Sequence, residues 1–144
     1  MALRDHPVHI IAIHFPTALL TMDIIFAGIA GYTGKAELYT VAYYCLMAGV
    51  ISGWLAALTG LYDWLTRLLP RKMSQKQVFI HAGLQAFTVT GFTIILSLEF
   101  HHPDWIASIP TGLWAAKLVS LVTLVVGSYI GGEVMVKLFE KTGT

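Results

Sequence analysis

The 144-residue sequence predicts an all-α fold, an integral membrane up-and-down four-helix bundle, on three observations. Hydrophobic residues make up 56%, charged residues 12%, and the mean hydropathy is +0.71, too apolar a balance for an ordinary soluble domain. Four apolar stretches, about 9–31, 39–65, 77–98 and 112–138, match the roughly 20 residues that a bilayer crossing requires. The connections between them are short, which favours antiparallel neighbours. A single transmembrane domain over 1–144 uses the whole chain. The net charge of +1 argues against nucleic acid as a partner.

Span one opens near His9 and contains Pro16, which cannot donate its amide and frees the carbonyl of Ala12. The start lacks a basic leader and a cleavage site, so this segment is expected to be a retained helix. Span two carries Gly49, Gly53 and Ala57 and, beside them, Ser52, Ala56 and Gly60. Small residues four apart let a helix or a flat ligand approach the backbone. Asp63 continues that face. Span three places His81, Gln85 and Thr88 at helical spacing, a polar stripe expected to point inward. Span four repeats the small-residue theme with Gly127 and Gly131 just before Glu133. The lone cysteine, Cys45, rules out an intrachain disulfide.

Basic residues set the expected orientation. The second connection carries Arg67, Arg71, Lys72 and Lys76, whereas the loop from Glu99 to Thr111 has none. The positive-inside rule then places both termini in the cytoplasm of a bacterial inner membrane.

His14, Asp63, His81 and Glu133 fall at nearly one depth, toward the same end of the four spans. Ionisable groups at membrane depth are costly and usually face a bundle interior or a cofactor. His14 lies five residues beyond His9, roughly 8 Å along a helix, and His81 enters span three from the same side. Spans one and three are expected to be diagonal, so the two imidazoles should meet across the axis. A haem b between two histidines needs that arrangement, with a planar slot and cations at its propionates. His14 and His81 are the expected axial ligands of the haem iron. Gly53, Gly60 and Gly131 are the expected slot, and Arg67 and Arg71 the propionate partners, with Lys72 and Lys137 as further cations. Asp63, Glu133, Asp23 and His9 make up the supporting polar set.

The function expected from this layer is electron transfer, with the bilayer, other redox or membrane-complex subunits and a quinone as partners. A cofactor-free accessory subunit of a respiratory or photosynthetic complex is the alternative, its polar residues forming a structural hydrogen-bond layer. A proton pathway through Asp23 ranks below both, because no polar file runs from face to face in the sequence. As a competitor to haem, a mononuclear zinc, iron or manganese site is disfavoured, since no two of the layer's residues share a helix in the spacing of a di-iron bundle. No hydrolase signature is present, so a stand-alone enzyme is not expected.

The run from His9 to Leu19, with His14-Phe15-Pro16 at its centre, resembles the opening of a bacterial transmembrane domain family of unknown function. Asp23, Gly60-Leu61-Tyr62-Asp63-Trp64, His81-Ala82 and Gly131-Gly132-Glu133 match further pieces of its pattern in order. The chain departs from it at Ile10, where the family has proline, and at Thr17, where it has isoleucine. The resemblance implies a four-helix membrane domain. Its members are often fused to Rieske or c-type cytochrome modules, which implies an electron-transfer setting.

Overall fold

The computed structural model describes residues 8–69, 75–106 and 109–142, and every regular element among them is helical. Helix α1 (Val8–Ala12) and α2 (His14–Thr33) make span one, and α3 (Ala36–Asp63) makes span two. A π-helical turn, Trp64–Leu68, follows. Then come α4 (Gln75–His101), a 3-10 turn (Pro103–Ile106) and α5 (Thr111–Thr142). Four helical stretches are long and apolar enough to cross a bilayer: His9–Thr33, Ala36–Thr66, Gln75–His101 and Thr111–Lys137. Spans two and three start two or three residues earlier than hydropathy alone suggests, because Glu37 and Gln75 add polar first turns.

Pro16 has the effect expected of it. The helix ends at Ala12, four residues before the proline, and resumes at His14 after one turn-like residue, Ile13. Thr17 Oγ1 donates to the carbonyl of Ile13 at 2.8 Å, and Thr21 Oγ1 to that of Thr17 at 2.7 Å. The Ile13 carbonyl also accepts the Thr17 N–H at 3.3 Å, so the first hydroxyl adds a second donor beside the turn. At its far end α2 stops on Gly34, whose φ of 68° lets its N–H reach the Ala30 carbonyl at 2.8 Å. The chain then reverses through Lys35 into α3.

Spans one and two pack as one hairpin, and three and four as another. The hairpins meet where span two touches three and span one touches four, which leaves one and three across the axis. Gly49 permits the closest approach in the first hairpin: a Cβ there would stand 2.6 Å from Leu20 Cδ2. Leu20, Ile24, Leu46, Val50, Phe92, Ile95, Leu113 and Leu124 form the main apolar core, drawn from all four spans. Leu68, Val78 and Val134 form a second cluster beside the π-helical turn. Most other large apolar side chains point outward, as a bilayer solvent allows. Trp105 and Trp114 pack against the main core, and Tyr39 is buried.

Candidate functional site

The fold pairs His81 with His9, not with His14. The rings of His9 and His81 stand 6.2 Å apart between centres, with planes at 76°. His14 is exposed on the outside of the bundle, its Nδ1 held at 2.6 Å by the Ile10 carbonyl of α1 in the same span. Residues five apart on an α-helix point about 140° away from each other, and the turn at Ile13 keeps helical dihedrals, so when His9 on α1 faces α3, His14 at the start of α2 faces outward.

Both paired rings are seated in the same way. His9 Nδ1 donates to the carbonyl of Ala56 at 2.9 Å, and its ring lies over Gly60, where a Cβ would stand 2.9 Å from Cε1. His81 Nδ1 donates to the carbonyl of Gly127 at 2.7 Å, and its ring lies over Gly131, where a Cβ would stand 2.5 Å from Cε1. In each hairpin a histidine of the odd span rests on a glycine of the even span and bonds the carbonyl four residues before it. A carbonyl only accepts, so each Nδ1 must carry the proton. In the neutral imidazole Nε2 then keeps its lone pair. This tautomer is the one a metal-ligating histidine uses when an outer partner orients it.

The expected slot residues divide. Gly60 and Gly131 do flank the histidines. Gly53 does not: it makes room for Val89, whose Cγ2 would lie 3.1 Å from a Cβ there. Asp63 is buried at the end of α3, within electrostatic reach of His9. Glu133 is not in the buried layer but at its rim, 43% exposed and 4.0 Å from Lys137 Nζ. Gln77 ties that rim together, donating to Glu133 at 3.4 Å and accepting from Lys137 at 3.0 Å. Arg71, Lys72 and the side chain of Arg67 lie outside the described residues.

Asp23 does not join this layer at all. It lies 14 residues beyond His9, about 20 Å along the span at 1.5 Å per residue, in the opposite half of the bundle. There Lys117 Nζ donates to both of its carboxylate oxygens, at 2.7 and 2.9 Å, and stands 2.9 Å from Glu99 Oε1. The three side chains are 0–5% exposed. Lys117 and Glu99 were not expected as site residues. The signal was present, since each is a charge inside an apolar run, but the outer loop beside them masked it as membrane edge.

A polar seam links the two sites along α4 and α5. Thr123 Oγ1 donates to the Ser120 carbonyl at 2.9 Å and meets Thr88 Oγ1 at 2.8 Å. One turn on, Gln85 donates to Ser128 Oγ at 3.2 Å, and the next turn reaches His81. Gly91 brings the helices close at the outer end, where a Cβ would stand 2.8 Å from Ser120 Oγ.

A bundle with apolar outer faces, a histidine pair near one end and a buried ion triad near the other defines a polytopic membrane protein. The chain belongs to the family described as "Predicted membrane protein (DUF2231)", a family of unknown function that matches residues 5–139. No curated protein and no solved structure matches it.

Proposed function

We propose that this protein is a small b-type cytochrome-like electron-transfer protein, or a subunit of a redox complex, with one haem b held between His9 and His81. The ring-centre separation of 6.2 Å carries this reading. An ion bonded to one imidazole nitrogen on each side, at about 2 Å per bond, sets ring centres roughly 6 Å apart. The donor set supports it too. A bare zinc ion takes three or four protein ligands, and the described residues hold no group of three or more metal-ligating side chains. Two imidazoles suffice where a macrocycle supplies the remaining nitrogens.

Haem, when bound, supplies one-electron redox chemistry. The chain's own part is to hold the rings. The Ala56 and Gly127 carbonyls set the tautomer, Gly60 and Gly131 leave room beside the backbone, and Asp63 stands near His9. Lys137, Arg67 and Arg71 are the cations available to propionates. The electron partners in this reading are a quinone or another membrane-complex subunit. The basic connection with Arg67, Arg71, Lys72 and Lys76 favours a bacterial inner membrane and cytoplasmic termini.

The test is an absorbance spectrum of protein purified from cells with ample haem. A reducible Soret and alpha band is expected, lost in His9→Ala and His81→Ala and kept in His14→Ala. A colourless preparation refutes the reading.

A cofactor-free accessory subunit is the second reading, favoured by one observation: each ring already completes a hydrogen bond to its hairpin partner. In that case His9→Gln and His81→Gln weaken assembly and leave a featureless visible spectrum unchanged.

A further inference from the structure

Two carboxylates and one ammonium meet in the half of the bundle away from the histidines, and their charges do not cancel. Asp23, Lys117 and Glu99 are 0%, 1% and 4% exposed, each on a different span. Asp23 takes two hydrogen bonds from the ammonium, one to each oxygen. Glu99 Oε1 stands 2.9 Å from the same nitrogen as an ion-pair contact and is buried without a hydrogen-bond partner. From span two, Cys45 lies within electrostatic reach of Asp23. Among the described residues no second cation pairs with the triad. A net negative charge in a low-dielectric interior is costly, and a buried charge is retained only when compensated.

We propose that Asp23, Glu99 and Lys117 form a proton-loading site that holds one proton between its two carboxylates and releases it in exchange with water. Loading adds one proton to a carboxylate oxygen to make an O–H and brings the triad from −1 to neutral; unloading reverses both changes. The site gives this membrane protein a protonatable group deep in the bundle. The Ser120 carbonyl and the hydroxyls of Thr123 and Thr88 stand further in, at the head of the seam toward His81. It does not depend on whether the histidine pair binds haem.

Charge counting makes the test specific. Infrared spectra of the full chain in lipid nanodiscs, in H2O and D2O at neutral pH, report protonated carboxyls through an exchange-sensitive carbonyl band. Asp23→Asn and Glu99→Gln each leave one carboxylate against one ammonium. Both are expected to lose one carboxyl's worth of that band. Retention of the full band in either variant overturns the proposal. A wild-type spectrum with no such band overturns it without any variant. Lys117→Met leaves two carboxylates without a cation and is expected to gain one carboxyl's worth of intensity; no gain in the folded variant also overturns it.

Discussion

Gly131→Ala tests the seat of His81. A Cβ at that position would stand 2.5 Å from Cε1 and 2.7 Å from Nδ1 of the ring, about an ångström inside ordinary contact between carbon atoms. The ring cannot slide away freely. Nδ1 is tied to the Gly127 carbonyl at 2.7 Å, and His9 faces it at 6.2 Å. Overpacking of this kind costs about 1–3 kcal/mol. Loss of a hydrogen bond between membrane helices adds about 0.6 kcal/mol. Alanine's better helix propensity returns about 1 kcal/mol. The net is a destabilisation of about 1.5 kcal/mol, taken from the middle of those ranges. Gly132 is the internal control, because a Cβ there meets nothing within 4 Å. Gly132→Ala is expected to be neutral or to gain up to about 1 kcal/mol. Equilibrium unfolding in mixed micelles, followed by circular dichroism, measures both. Equal stability of the two variants would refute the argument that the glycine exists to seat the histidine.

Three further outcomes follow from the same geometry. Phe92 is fully buried, so Phe92→Ala is expected to lower unfolding stability by about 3–5 kcal/mol, whereas Ile94→Ala, at a residue 56% exposed, changes little. Thr88→Val keeps the side-chain shape and removes the hydroxyl that meets Thr123 at 2.8 Å; a loss of about 0.6 kcal/mol is expected in the same assay. His14→Ala removes an exposed side chain bonded only within span one and leaves stability within about 0.5 kcal/mol, while His9→Ala breaks the contact of span one with Ala56 and Gly60 and lowers it measurably.

Much of the candidate site was legible as residue types but not as partnerships. His81, Gly60, Gly131 and Asp63 stood out because polar groups and small residues recur at helical spacing in otherwise apolar runs. Depth along each span followed from counting residues. Choosing between His9 and His14 required the rotation of span one about its axis, which decides which of two rings about 140° apart faces inward. The matching seats of the two histidines were also hidden. They rest on a carbonyl and a glycine four residues apart, a pattern that any small-residue packing motif shares. Glu133 looked equivalent to Asp63, yet one is at the rim and the other buried.

By itself the sequence determined that this chain crosses a membrane four times as antiparallel helices, because hydropathy and span length depend on composition alone. The break at Pro16 and the diagonal placement of spans one and three also followed, from backbone chemistry and short connections. Only the tertiary structure decided which histidines face each other, and that Asp23, Glu99 and Lys117 meet. Those groups lie on different spans, and their meeting depends on the rotation of each helix about its axis. Rotation is set by how glycines and side chains interlock between neighbouring helices, so it arises only when all four spans pack together.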